Sequence, residues 1–251
     1  MSDNTGLFTS RADIYSKYRP SYPTEAINYL VGSFNLSKDS LVADIGSGTG
    51  IFTKLLLEKA KTVFAVEPNK EMRNEAEKQL KKDRNFVSVE GTAEKIPLEA
   101  KSVDLITAAQ SFHLFDRDSA KNEFSRILRD GGHVILIWNK RLQNTDFLLE
   151  YENIIQNNIP EYKDLTNSTT SIDVIKTFLG KGFKVERFGN NQVYDWDKVI
   201  GRLNSSSYMP AKKTEAYQSL EKSLYNTFIR YAGSGKVQFN YSTEVYSGTL
   251  A

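Results

Sequence analysis

Short apolar runs alternate with amphipathic segments through the first half of the chain. The runs predict buried strands at residues 41–45, 62–66, 86–89, 103–108 and 133–138. The segments between them carry apolar residues at helical spacing. Strands that alternate with helices form right-handed βαβ units, so this pattern predicts a parallel sheet covered by helices.

Capping residues mark where several of these helices begin. Asn69 and Asp116 each precede an apolar stripe, and Pro23 opens a further helix upstream of the first strand. The predicted inner faces are Met72, Ala76 and Leu80; Ala120, Phe124, Ile127 and Leu128; and Ile27, Leu30, Val31 and Phe34.

The pattern changes after Trp138. Residues 145–180 and 196–232 are helical or irregular, with a core stripe of Tyr217, Leu220, Leu224, Phe228 and Tyr231. Residues 182–188 predict a sixth strand between these tracts. From Val237 to Val245, every second residue faces one side and the residues between are polar, and this period of two predicts a final antiparallel or edge strand.

These elements predict an α/β fold. It is doubly wound, with a mostly parallel seven-stranded sheet, helices on both faces and a helical cap formed by insertions. We expect one domain over residues 1–251. Within it, 1–40 form an N-terminal lid and helix, 41–140 the core that binds a ligand, 141–235 a helical cap with the sixth strand, and 236–251 the final strand.

Composition narrows the classes of function. The chain has no cysteine and only two histidines, which argues against disulfides, a thiolate nucleophile and a metal site. The formal net charge is +2, with basic residues scattered rather than clustered, so no nucleic-acid partner is expected. There is no long apolar run or signal-peptide pattern, which predicts a cytoplasmic protein without a membrane partner. The oligomeric state stays open.

A glycine-rich loop carries the strongest chemical signal. Asp44 ends the first predicted strand, and Gly46, Gly48 and Gly50 follow before a helix begins. Such glycines permit a tight turn and close approach of a ligand to the backbone at the carboxyl end of parallel strands. Glu67 ends the second strand, near the spacing expected for a carboxylate that binds ribose hydroxyls.

Four segments resemble class I S-adenosylmethionine-dependent methyltransferases with a type 11 domain: residues 44–50, 92–97, 108–116 and 128–133. The resemblance implies S-adenosylmethionine as cofactor and S-adenosylhomocysteine as product. It implies that Glu67 binds the ribose, that Ala93 and Glu94 border the adenine, and that Gln110 lies beside the methyl donor and its acceptor.

Outside residues 40–140, the segments 15–23 and 205–210 resemble a subgroup that includes trans-aconitate-type small-molecule methyltransferases. This likeness implies that Tyr18 and Arg19 close over the cofactor, with Arg19 paired to its methionyl carboxylate. The planar guanidinium suits that bidentate contact.

Methyl transfer from a sulfonium is a displacement, in which the protein mainly positions the reactants and excludes water. His113 is the candidate general base, should the acceptor need to lose a proton. Tyr208 and Trp196 are candidates to line the acceptor pocket, and both also suit ordinary packing of the cap. His133, beside a Gly-Gly turn, is interpreted as structural.

Two alternatives remain. A nicotinamide-dinucleotide oxidoreductase shares this crevice, but its fingerprint is G-x-G-x-x-G, whereas the spacing here is G-x-G-x-G. A catalytically silent protein that only binds the cofactor stays possible, because displacement needs no obligatory catalytic side chain. The acceptor is expected to be a small molecule whose identity, and whose methylated atom, the sequence leaves open.

Overall fold

The computed structural model describes residues 12–160, 162, 170–206, 208–210 and 212–250. The start of the predicted lid, parts of the predicted cap and the last residue of the final segment lie outside these ranges. The strands are β1 (Leu41–Ile45), β2 (Thr62–Val66), β3 (Phe86–Val89), β4 (Val103–Ala109), β5 (Leu128–Arg141), β6 (Lys184–Tyr194) and β7 (Val237–Gly248).

The strands form one sheet in the order β3-β2-β1-β4-β5-β7-β6. Strands β1 to β5 are parallel, and β7 runs antiparallel to both β5 and β6. This arrangement confirms the predicted doubly wound, mostly parallel sheet. Chain order reverses between β1 and β4, and the crevice at such a reversal is where open α/β sheets bind ligands.

The helices flank this sheet or follow its carboxyl edge. They are α1 (Ala12–Tyr18), α2 (Thr24–Phe34), α3 (Ile51–Leu57), α4 (Lys70–Leu80), α5 (Arg117–Ile127), α6 (Asp146–Asn158), α7 (Ile172–Leu179), α8 (Trp196–Asn204) and α9 (Glu215–Tyr231). None of the described helices has the length and apolar character needed to cross a bilayer.

The predicted N-cap residues Asn69 and Asp116 cap the first turns of their helices. Asn69 accepts a hydrogen bond from the Met72 amide at 2.9 Å, and Asp116 accepts one from the Ser119 amide at 3.0 Å. Three details of the predicted apolar faces are wrong. Val31 and Tyr231 are partly exposed, and Leu128 begins β5 as a buried residue instead of ending a helix.

Strands β5 and β6 are longer than their apolar runs predict. Strand β7 pairs with β5 from residue 134 to Arg141 and with β6 from Lys184 to Tyr194. This pairing supplies backbone hydrogen bonds to polar stretches that no hydrophobic pattern marks. As a result, Arg141 is held in a strand at the carboxyl end of β5.

Three apolar clusters hold the fold together. One lies on the sheet face covered by α5 and α7, and a second lies on the face covered by α2 and α3. The third joins α6, α8 and α9 to the first half of β7, with Phe239 and Tyr241 at its centre. We call α6, α8, α9 and the turn after α8 the cap.

Candidate functional site

The glycine-rich loop folds as a tight turn between β1 and α3. Gly46, Gly48 and Gly50 all have positive φ, at 66°, 58° and 82°. A Cβ on Gly46 would lie 2.5 Å from the Cβ of Ser111, whereas one on Gly48 would meet nothing within 4 Å. Gly46 is therefore required by packing, and Gly48 leaves open space on the loop.

Alanine substitutions at Gly46, Gly48 and Gly235 test the difference between Gly46 and Gly48. Gly46→Ala is expected to lower the free energy of unfolding most, because it combines a strained φ with a clash against Ser111. Gly48→Ala carries only the φ penalty of about 1–2 kcal/mol but places a methyl group where a ligand would approach. Gly235→Ala, with φ of 71° and open space around it, is the control for φ alone. Denaturant unfolding and cofactor titration of all three would check this ranking; equal destabilisation by Gly46→Ala and Gly235→Ala would contradict it.

Asp44 is buried at the end of β1 and is held by two hydroxyl groups. Thr53 Oγ1 and Thr107 Oγ1 each donate to its carboxylate at 2.7 Å. Burial raises the pKa of Asp44 to about 6, against the two hydrogen bonds, which lower it. The carboxylate thus ties β1, α3 and β4 together beneath the loop.

This raised pKa predicts a dependence of stability on pH. The native state holds the Asp44 proton to about pH 6, whereas an unfolded aspartate releases it near 3.9. The contribution of Asp44 to the free energy of unfolding is therefore full below about pH 4 and falls by at most about 3 kcal/mol as pH rises to 6. Asp44→Asn lacks this loss, so its stability relative to wild type should increase between pH 4 and 6 and level off above. A difference that stays constant across that range in urea unfolding would refute the assignment.

Glu67 is buried directly after β2, beside the loop. Its Oε2 accepts from the Gly48 amide at 2.8 Å, and its Oε1 accepts from the Asn69 amide at 2.9 Å. Burial raises the pKa of Glu67, partly offset by these two hydrogen bonds. The structure therefore brings Glu67 and Gly48 together, as the sequence predicts for one site.

Other atoms of the loop are buried and unpartnered. The hydroxyls of Ser47 and Thr49 have no hydrogen-bond partner within the described part of the chain. Buried hydroxyls without partners are rare in folded proteins and suggest a polar ligand. Together with the open face of Gly48, they fit a cofactor that presents hydrogen-bonding groups to this loop.

The loop after β3 also reaches the site. Ala93 is buried, and Glu94 Oε1 accepts from the Asp116 amide at 2.9 Å, which joins this loop to the start of α5. Ile96 follows in the apolar cluster under α5. Glu94 is thus held in place by the protein, with its other carboxylate oxygen left for a ligand.

The segment after β4 makes a sharp turn. Gln110 has φ of 61°, and its side chain donates to the Asn139 carbonyl at 3.3 Å. Ser111 donates to the Ile45 carbonyl at 2.8 Å, which fixes the turn against the glycine-rich loop. His113 follows on a short 3-10 turn; its side chain is exposed, and partial desolvation by the protein around it lowers its pKa. His133 lies elsewhere on the sheet, with its ring packed on Phe34, which agrees with a structural role.

The N-terminal segment, residues 12–23, contacts the cap. Tyr18 donates to Asp197 at 2.9 Å, and its ring lies so close to Gly201 that a Cβ there would be 2.4 Å away. Arg19 donates to the Ser205 carbonyl at 3.0 Å, while its Nε is buried without a partner. Tyr22 adds an edge contact to Phe52 in α3, so this segment bridges α3 and the cap.

The two candidate acceptor residues occupy different places. Trp196 packs between α8 and α9 against Tyr225 and Phe228, with ring centroids 4.9 and 5.5 Å away. Tyr208 makes an edge contact with Tyr162, with ring centroids 4.9 Å apart, in the turn after α8 whose Ser205 carbonyl accepts from Arg19. Tyr208 therefore lies nearer the N-terminal segment, whereas the contacts of Trp196 are those of helix packing.

Several residues around this site were not predicted. Thr53 and Thr107 hold Asp44, and Ser111 packs on Gly46, yet single hydroxyl residues carry no recognisable pattern in a sequence. The described part of the chain also brings no group of three or more histidine, aspartate or glutamate side chains together as a metal site.

Comparison with known proteins places this geometry in a family. Residues 43–136 match the family model described as a methyltransferase domain. An uncharacterised methyltransferase-like protein of Schizosaccharomyces pombe is 27% identical over 98% of this chain and 97% of its own length. An uncharacterised methyltransferase of Mycobacterium bovis is 38% identical, over 59% of this chain and 58% of its own length.

Solved structures agree on the fold. A type II methyltransferase of Anaeromyxobacter dehalogenans superposes with a TM-score of 0.66 at 19% identity, covering 93% of this chain and 98% of that one. An S-adenosylmethionine-dependent methyltransferase of Aquifex aeolicus superposes with a TM-score of 0.55 at 17% identity, covering 94% and 96%. The chain therefore carries a methyltransferase domain at residues 43–136 and has the fold of these solved methyltransferases.

Proposed function

We propose that the protein transfers the methyl group of S-adenosylmethionine to a small-molecule acceptor bound between the sheet and the cap. The observation that carries this proposal is the buried Glu67 carboxylate, hydrogen-bonded to Gly48 of the open glycine-rich loop. A carboxylate so placed has lone pairs left to accept from both hydroxyls of a ribose.

Residues from the four loops that follow β1, β2, β3 and β4 would hold the cofactor, together with Arg19. Gly46, Gly48 and Gly50 form the turn that lets it approach the backbone, with Asp44 fixing the turn from below. In addition, Glu67 would bind the ribose, Ala93 and Glu94 would border the adenine, and Gln110 would lie beside the methyl group. We assign the methionyl carboxylate to Arg19, whose buried Nε has no hydrogen-bond partner among the described residues.

Held by these residues, S-adenosylmethionine would supply an electrophilic methyl group bound to a positively charged sulfur, suited to displacement by an acceptor with a lone pair. The protein's part is to orient and to exclude water. Tyr18, bonded to Asp197, and Arg19, bonded to Ser205, fasten the N-terminal segment to the cap. These two contacts would hold the N-terminal segment over the reactants and so keep water away from them.

His113 is proposed as a base only for an acceptor that must lose a proton. Its lowered pKa keeps the imidazole neutral at pH 7, as a proton acceptor must be. Its side chain is exposed, with solvent as an alternative route for the proton. We therefore expect His113→Ala to keep normal single-turnover transfer. A loss of the roughly 10²–10⁴-fold typical of general base catalysis would assign it the catalytic role.

Cofactor identity is the first test. Calorimetric titration should show binding of S-adenosylmethionine and S-adenosylhomocysteine and none of nicotinamide dinucleotides. The reverse pattern would support an oxidoreductase. Binding of S-adenosylmethionine without transfer to any acceptor would support the silent alternative.

A further inference from the structure

Two asparagine side chains on the sheet bind the backbone of the N-terminal segment. Asn190 Nδ2 donates to the Ser21 carbonyl at 2.7 Å, and Asn139 Nδ2 donates to the same carbonyl at 3.2 Å. Asn139 lies near the end of β5 and Asn190 lies in β6, with β7 between the two strands. Side chains 51 residues apart in the chain therefore meet at one carbonyl. We call Asn139 and Asn190 the carboxamide pair.

The orientation of both carboxamides follows from their partners. A carbonyl oxygen only accepts hydrogen bonds, so each asparagine turns its amino group towards Ser21. The side-chain oxygen of Asn190 then accepts from Gln192 Nε2 at 2.7 Å. The side-chain oxygen of Asn139 accepts from Asn190 Nδ2 at 3.2 Å and from the Thr243 hydroxyl of β7. Both oxygens and both amino groups thus have partners, and such a satisfied network fixes one arrangement.

The carboxamide pair lies where the apolar core could continue. On the sheet face covered by α2 and α3, Ile137 of β5 and Val245 of β7 are buried, with Phe188 of β6 packed beside them. Two residues further along β5 and β6, the same face carries Asn139 and Asn190, and Asn190 is only 5% exposed. A buried carboxamide must be hydrogen-bonded to avoid a cost, which an apolar side chain does not incur. Polar residues kept at such positions indicate a role beyond folding.

The backbone held by the pair is stiff. Pro20 and Pro23 lie on either side of Ser21, and the ring of each fixes its own φ. A proline also keeps the residue before it extended, and those residues are Arg19 and Tyr22. Fixing the Ser21 carbonyl therefore also fixes the backbone from which these two side chains extend.

This stretch of backbone leads to the candidate site on both sides. Tyr22 packs edge-on against Phe52 of α3, with ring centroids 4.8 Å apart, directly after the glycine-rich loop. Arg19 is the residue assigned to the methionyl carboxylate. The main-chain carbonyl of Asn139 accepts from Gln110 Nε2 at 3.3 Å, which joins the pair to the turn after β4. The pair thus lies between the N-terminal segment and the loops that would hold the cofactor.

We propose that Asn139 and Asn190 are positioning residues for the cofactor, which hold the Ser21 carbonyl and thereby keep Arg19 in place for the methionyl carboxylate. This inference rests on the proposed function and on its assignment of Arg19. Without the pair, the segment occupies other positions for part of the time. The apparent affinity for the cofactor then falls in proportion to the fraction of molecules in which Arg19 is in place.

Calorimetric titration of the full chain with two ligands tests this proposal. Asn190→Leu and Asn139→Leu keep the branching of asparagine, add no charge and remove the donors to Ser21. The affinity for S-adenosylhomocysteine, which retains the amino-acid carboxylate, should fall about three- to tenfold, the factor given by one lost hydrogen bond. The affinity for methylthioadenosine, which lacks that carboxylate, should stay at the wild-type value.

Asn240→Leu is the matched control. Asn240 is a buried carboxamide of β7, and its amino group donates to Asn144 before α6 at 2.9 Å. This variant should bind both ligands as wild type does. Equal weakening of both ligands by Asn190→Leu, or no weakening of either, would overturn the proposal. If Asn190→Leu does not fold, Asn139→Leu gives the same comparison, and failure of both to fold would assign the pair to the fold alone.

A double variant shows whether the pair acts through Arg19. Arg19→Ala combined with Asn190→Leu should bind S-adenosylhomocysteine no more weakly than Arg19→Ala alone, because no guanidinium is left to be positioned. A loss that equals the sum of the two single losses would contradict the proposal, since it would mean that Asn190 acts independently of Arg19.

The same titrations distinguish this inference from the proposed function. If the wild type does not bind S-adenosylhomocysteine, the proposed function and this inference fall together. If the wild type binds it, and Asn190→Leu leaves the ratio of the two affinities unchanged, only the inference falls.

Discussion

Glu67→Ala should weaken binding of S-adenosylmethionine by about 1.5–3 kcal/mol, the range for hydrogen bonds to a charged group. Two losses combine in this variant. The ribose hydroxyls lose their acceptor, and the Gly48 and Asn69 amides lose the carboxylate that orders them. Calorimetric titration of the folded variant with S-adenosylmethionine would measure the effect.

Glu67→Gln should lose less, because its amide oxygen still accepts one hydrogen bond while its amino group opposes a backbone donor. Glu186→Ala is the matched control, since Glu186 is exposed on β6, away from the glycine-rich loop. If all three variants bind the cofactor equally well, Glu67 does not contact the ribose.

Arg19→Ala should weaken binding of S-adenosylmethionine by a similar amount, about 1.5–3 kcal/mol, through loss of a charge-assisted contact with the methionyl carboxylate. Binding of methylthioadenosine, which lacks that carboxylate, should stay almost unchanged. The ratio of the two affinities is the diagnostic quantity, because it cancels any general disturbance of the site.

Arg187→Ala provides the control for removing an arginine, since Arg187 lies exposed on β6 and pairs with Glu244. It should leave both affinities at the wild-type value. Equal weakening of both ligands by Arg19→Ala would mean that Arg19 supports the fold through Ser205 and does not bind the carboxylate.

The parallel half of the sheet was accessible from the sequence because its strands are short apolar runs, largely buried in β1 and β4 and half-buried in the edge strand β3. The apolar runs at 41–45, 62–66 and 86–89 coincide with β1, β2 and β3. The polar second half of β6 gave no such signal. It is a strand because β7 pairs with it, and that partner is distant in the chain.

The candidate site shows the same difference between residues that a local sequence pattern marks and residues that only the fold brings together. The glycine spacing and Glu67 could be recognised because their chemistry lies in one strand–loop–helix unit and the strand that follows it. The ties of Thr107 to Asp44 and of Arg141 to Glu152 were missed, since the fold alone brings these partners together. Neither Thr107 nor Arg141 has a local pattern that differs from that of an ordinary polar residue.

Transfer of a labelled methyl group tests the central claim most directly. The protein would be incubated with S-adenosylmethionine labelled in its methyl group and with a fractionated cell metabolite extract. The account predicts a labelled small molecule in equal amount to the S-adenosylhomocysteine formed. Label that stays on S-adenosylmethionine in every fraction, despite tight binding of the cofactor, would contradict it.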